Sequence, residues 1–256
     1  MTIVAPMSKK RPGVEAAIQL AKSGDVDLWS QVDGNHDDVI AKIGELSKLQ
    51  GRIKSLGEDL REGTKRFITK SELLEIVIPW KFAVGKPRHA LLGQLRSNSE
   101  SAVAEATKSG IALSQQISSR DEMDLESKIK TAVEAVTELK GVGPATASVI
   151  LSLVRPDIFC YMYDEVIDCF LPKRTYSLKV YMTCVTSCME LSRQLTDQWM
   201  TAKIARTLWV AAREKAMGID TATNRKRPTP EKKKKTEKVD STEKPEVVIS
   251  KRRRRK

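Results

Sequence analysis

Leu139-Lys140-Gly141-Val142-Gly143-Pro144-Ala145-Thr146-Ala147 is the stretch whose reading decides the fold. Two glycines flank one apolar residue, so the backbone can turn sharply and approach another surface with no Cβ in the way, while Val142 plugs the turn into the interior. Pro144 suits a first helical position, because the donor it lacks would go unused within a helix. A helix starting there points its unpaired N–H groups and the positive end of its dipole outward at the turn, where a phosphate oxygen can meet them. Thr146 and Ala147 are small enough to let two helices pack closely.

The flanks are helical. Residues 124–139 place Leu125, Ile129, Ala132, Val133, Val136 and Leu139 on one face, and the apolar helix pattern resumes over 145–154. The few residues between them can only be a tight hairpin. Further out, residues 14–21 make a short helix after Pro12, and 37–60 a longer stretch with Gly44, Gly51 and Gly57 as weak points. Thr69 with Glu72, and Ser97 with Glu100, have capping-box spacing ahead of helices. Pro79 should kink or end the first of these near Trp80. Two more helices are expected over 177–194 and 197–215, the second capped by Thr196. The fold class expected is all-α: an N-terminal helical segment over 1–68, a helical domain over 69–217, and a tail over 218–256.

The chain carries a net charge of +12 over 256 residues, which suggests a polyanionic partner, but the placement of the charge matters more than its sum. The last 39 residues hold 15 Lys and Arg against 6 Asp and Glu, so the first 217 carry only +3. That tail is nearly devoid of apolar residues, rich in proline and dense in like charge, and is expected to be disordered. Its runs Arg225-Lys226-Arg227, Lys232 to Lys235 and Lys251 to Lys256 have the character read by nuclear import receptors, or that binds nucleic acid loosely; a solubilising role is the alternative. No apolar run approaches the ~18 residues of a membrane span, and no secretory leader precedes the first helix, so a soluble, intracellular, nuclear protein is expected. Cys160, Cys169, Cys184 and Cys188 match neither a paired zinc motif nor an iron–sulfur loop, so free, buried thiols and no metal or cofactor are expected.

The nine-residue stretch resembles the L-x-G-V-G-x-x-T-A core of the helix-hairpin-helix superfamily, whose hairpin grips DNA phosphates independently of sequence. By that resemblance Lys140, Gly141, Val142, Gly143, Ala145 and Thr146 are the DNA-contacting set. The likeness extends to the DNA glycosylases of that superfamily, in which the second hairpin helix is followed by a proline loop and then an aspartate. Here Asp164 lies 21 residues past Gly143. The resemblance implies that its carboxylate stabilises positive charge on a sugar as a base departs, or orients water, with a flipped-out nucleotide between it and the hairpin. Members that also nick the strand carry a lysine where Ala145 stands, so lyase chemistry by that route is not expected. The family's D-x-H-V run is replaced by Asp164-Glu165-Val166, and its iron–sulfur loop is missing. The string LKGVGPATAS followed by an Asp-Glu pair is also similar to a group of uncharacterised eukaryotic hairpin proteins.

Lys81, Lys86, Arg88 and Arg96, interleaved with Trp80 and Phe82, either form a second nucleic-acid contact or are simply solvated. Leu113-Ser114-Gln115-Gln116 looks like a base-probing helix but lies too close to the hairpin to serve as one. His36 and His89 read as surface residues, and Trp199 and Trp209 as core residues of one helix. Tyr161 and Tyr163 either pack in the core or stack on a base. Three functions compete: a DNA-binding protein that holds the duplex backbone, linked to repair; a monofunctional glycosylase using Asp164; and a protein-interaction scaffold. An aspartate that merely caps the helix after it would fit the first.

Overall fold

The computed structural model describes residues 12–118, 124–196 and 198–219. They are helical with no strand among them, and together they cluster as one compact unit. The helices are α1 (Val14–Ser23), α2 (Val26–Gly34), α3 (His36–Lys42), α4 (Gly44–Glu62), α5 (Lys70–Glu72), α6 (Ile78–Val84), α7 (Leu92–Arg96), α8 (Glu100–Gln115) and α9 (Leu125–Thr137). They continue through α10 (Pro144–Val154), α11 (Asp164–Phe170), α12 (Leu178–Leu195) and α13 (Thr201–Met217). Beyond Ile219 the expected basic tail lies outside the described residues.

The centre is α10, the helix that follows the hairpin. Thr146, Ala147, Ser148, Val149, Ile150, Leu151 and Val154 are all buried, as expected of a helix apolar nearly all round. It touches α4, α6, α8, α9 and α12. On one side α8 crosses α9 closely at Gly110, where a Cβ would collide with the Val136 side chain. On the other, α11, α12 and α13 pack together, and α1, α2 and α3 lie against α13. The helices before residue 69 therefore share one body with those after it. A polar latch holds them: Asp33 accepts from Arg206 at 2.7 Å and from Thr207 at 3.0 Å.

Several local expectations need correction. The 37–60 stretch breaks at Ile43, directly before Gly44, whereas Gly51 and Gly57 lie within α4. The Thr69–Glu72 capping box forms in full, whereas the second cap is Ser99, whose hydroxyl accepts from Ala102 N–H, and not Ser97. Thr196 ends α12, and α13 begins only at Thr201 with no side-chain cap. Trp199 thus precedes α13 and packs edge-on against Trp29, centroids 5.5 Å apart. His36 is not a surface residue: its side chain is 13 % exposed and it lies against Trp209. The four cysteines are free and buried.

Pro79 neither ends the helix nor stops it at Trp80. A π-helical turn, Leu73–Val77, precedes it, with Ile78 N–H reaching back to Leu73 C=O, and α6 runs on to Val84. Proline has no N–H for the carbonyl four residues back, that of Glu75, and Arg52 donates to this oxygen at 3.2 Å. Trp80 is fixed by its indole N–H to Gln50 at 2.9 Å and by edge-on contact with Tyr161. Arg213 donates to Val84 C=O at 2.9 Å at the helix end. The segment that carries Lys81 toward the hairpin is thereby held on three sides.

Candidate nucleic-acid interface

The hairpin forms where the sequence places it. Val142 N–H bonds to Leu139 C=O at 3.1 Å, and Thr146 and Ala147 N–H converge on Gly143 C=O at 2.8 and 3.0 Å. Gly141 has φ +77°, a conformation L side chains rarely adopt, and a Cβ there would press to 3.1–3.2 Å against Gln94, Leu95 and the Leu91 carbonyl. Gly143 is different: its φ is −110° and a Cβ would meet nothing within 4 Å. Gly141 is thus required by the fold, and Gly143 leaves the surface open. Val142 is buried, as a plug should be.

The residue that fastens the hairpin to the body is Asn98, 7 % exposed, between α7 and α8. Its Oδ1 accepts from Lys140 N–H at 2.9 Å while its Nδ2 donates to Lys140 C=O at 2.9 Å, a two-point clamp on the backbone. The Nδ2 also donates to Leu95 C=O at 3.0 Å. The partners are 42 residues apart, so no local pattern points to the pairing.

A cavity of about 100 Å³ opens beside the turn. Its wall brings together Gly141, Gly143, Ala145 and Thr146 of the hairpin, Lys81, Lys86 and Arg88 from α6 and the segment after it, and Asp164. The two sets of residues singled out in sequence as separate contact surfaces therefore share one concavity with the candidate carboxylate. Lys140 and Arg96 are exposed and do not line it. Leu113, at the end of α8, lines a different cavity with Gln116.

Asp164 opens α11 and is 8 % exposed. The N-cap of that helix is Tyr163, and Asp164 is its first helical residue, one position past the cap considered for it. Its Oδ1 accepts from Tyr176 O–H at 2.6 Å, and its Oδ2 lies 3.5 Å from Arg174. Glu165, the neighbouring carboxylate, diverges and pairs with Arg213 at 3.0 Å in the interior. Arg174 also grips Asp168 through two nitrogens. Burial and the bond to Asp164 raise the Tyr176 pKa, so the phenol stays protonated and donating. Neither Arg174 nor Tyr176 carries a sequence signal; the loop after α11 folds them back.

The cations are loosely compensated. Lys81 is half-buried, and burial lowers its ammonium pKa from the usual lysine value, Arg88 adding to the effect and Asp164 opposing it. Among the described residues, Lys81, Lys86 and Arg88 form no ion pair within 4.0 Å. The Arg88 guanidinium lies 4.3 Å from the centre of the Tyr176 ring. Tyr161 and Tyr163 are core residues in edge-on contact, Tyr163 stacking on Trp209. Tyr161 still contributes to the cavity wall.

Among the described residues no group of His, Cys, Asp and Glu could hold a metal ion, and no helix is long and apolar enough to cross a membrane. Comparison with protein families, curated proteins and solved structures found no match, so the functional reading rests on the chain's own residues.

Proposed function

We propose that the chain is a DNA-binding protein that holds the phosphate backbone of the duplex through its helix-hairpin-helix, acting in the nucleus in a process linked to repair. The observation that carries this reading is the convergence of Lys81, Lys86 and Arg88 with the open face of Gly143 on one cavity. Helix N-termini and cationic side chains both favour phosphate oxygens, and such contacts position a protein without reading sequence. The basic runs of residues 221–256 add import and loose tethering to this reading. The test is duplex binding by residues 1–220, before and after Gly143→Val. An added Cβ there meets nothing within 4 Å, so weaker binding with unchanged helicity supports the reading, and unchanged affinity refutes it.

A second reading, a monofunctional glycosylase, is favoured by one observation: the Asp164 carboxylate lines the same cavity as the hairpin. Base release from alkylated, deaminated or oxidised duplexes that is abolished by Asp164→Asn, with binding intact, would establish the enzyme.

A further inference from the structure

We propose that the cavity between Lys81, the hairpin and Asp164 is a receptor for the terminal phosphate of a DNA strand, a phosphomonoester held by Lys81, Lys86 and Arg88. The inference rests on the DNA-binding reading and specifies which part of the DNA enters the site.

The first ground is charge. Three cationic side chains line the wall, none within 4.0 Å of a described carboxylate partner, and the one carboxylate present is already engaged by Tyr176 and lies near Arg174. A half-buried lysine whose acidic neighbour, Asp164, is also bonded by Tyr176 and lies near Arg174 is left partly uncompensated, a cost to the folded chain that an anionic ligand removes. A neutral nucleobase would leave that charge uncompensated. Burial lowers the Lys81 pKa, and a phosphate beside the ammonium acts in the opposite direction.

The second ground is shape. At about 100 Å³ the cavity, which opens beside the turn, has room for a phosphate group. An internal phosphodiester is flanked by a sugar on each side and touches a surface from outside. A terminal phosphate has a single ester link, enters end-on, and carries about −1.5 to −2 charges near pH 7, with three acceptor oxygens. Three donors around one concavity, Lys81 of α6 with Lys86 and Arg88 of the segment after it, match that geometry, and the stacking of Arg88 on Tyr176 holds one of them in place.

The test uses the full chain and three duplexes of one sequence, bearing a 5′-phosphate, a 3′-phosphate or hydroxyl ends only, at fixed salt, read by fluorescence anisotropy. Because the basic tail sees all three alike, differences report the cavity. A phosphate at one end should tighten binding about tenfold or more, the scale of one or two charge-assisted hydrogen bonds. The preference should vanish in Lys81→Gln, persist in the exposed control Lys54→Gln, and fade below about pH 6 as the phosphate takes up its second proton. Arg88→Gln serves should Lys81→Gln lose its helicity. Equal affinity for all three duplexes, or a preference that survives both site substitutions, overturns the proposal. Equal, salt-dependent binding would leave backbone recognition standing while removing the end receptor; no binding to any duplex would remove both. Inorganic phosphate should compete away only the extra affinity of the phosphorylated ends, and displacement of all duplexes alike also overturns it.

Discussion

Replacing Asn98 by Ala should loosen the hairpin without touching a residue of the cavity. The change removes the clamp on Lys140 and the bonds to Leu95 C=O and Gln94 C=O, four hydrogen bonds at 2.9–3.2 Å. An unsatisfied buried polar group costs about 1–3 kcal/mol, and a lost intramolecular bond about 1 kcal/mol net. Lys140 is exposed, so water can reach part of the freed backbone, and the lower half of that range applies. About 2 kcal/mol in total follows, which for a body of this size is a fall in Tm of roughly 4–8 °C. Asn98→Asp should cost at least as much, because it keeps the acceptor for Lys140 N–H but sets a carboxylate oxygen against three carbonyls, those of Gln94, Leu95 and Lys140. Thermal unfolding followed by circular dichroism measures both, with duplex affinity measured in parallel well below Tm. A Tm shift under 1 °C in Asn98→Ala would refute the clamp, as would unaltered DNA affinity in a destabilised variant.

Three further outcomes follow from the same structure. Gly141→Ala should destabilise by about 2–4 kcal/mol, combining left-handed strain with overpacking against Leu91, Gln94 and Leu95, whereas Gly143→Ala should change stability by less than about 0.5 kcal/mol; equal losses in urea unfolding would contradict the distinction. His36 has a folded-state pKa lowered from 6.5, chiefly by burial and then by Arg206, so the unfolded chain binds the proton first and stability should fall as pH drops below 6.5; His36→Gln should lack that component, and an identical slope in the variant would count against it. Lys81 loses its charge at a lower pH than an exposed lysine, so duplex affinity should hold at neutral pH and decline as pH rises through that lowered value; in Lys81→Arg the decline should be absent, and a pH profile shared by both proteins would contradict the role of the lysine.

What the sequence disclosed was local. The helix faces of α9 and α10, the hairpin between them and the Thr69–Glu72 box depend on residues within a turn or two of one another, and periodicity or spacing reports them directly. What it hid was pairing at a distance. The fate of the helix at Pro79 is set by Arg52, 27 positions earlier, which supplies the donor the proline lacks. The hairpin is fastened by Asn98, and Asp164 is engaged by Tyr176, 12 positions on. Ser97 and Ser99 are alike as caps by composition, and only the path of the chain out of α7 selects Ser99. The convergence of Lys81, Lys86 and Arg88 on the hairpin depends on the direction in which α6 ends, a tertiary property with no signature in one dimension.

The most direct measurement is the salt dependence of duplex binding by residues 1–220, a unit free of the basic tail, beside the same chain with Lys81→Gln, Lys86→Gln and Arg88→Gln. Each phosphate contact contributes about 0.9 to the slope of log affinity against log salt. If the three cations meet phosphates, the slope should shrink by roughly 2–3 with helicity retained. An unchanged slope, at any affinity, would contradict a backbone grip at this cavity.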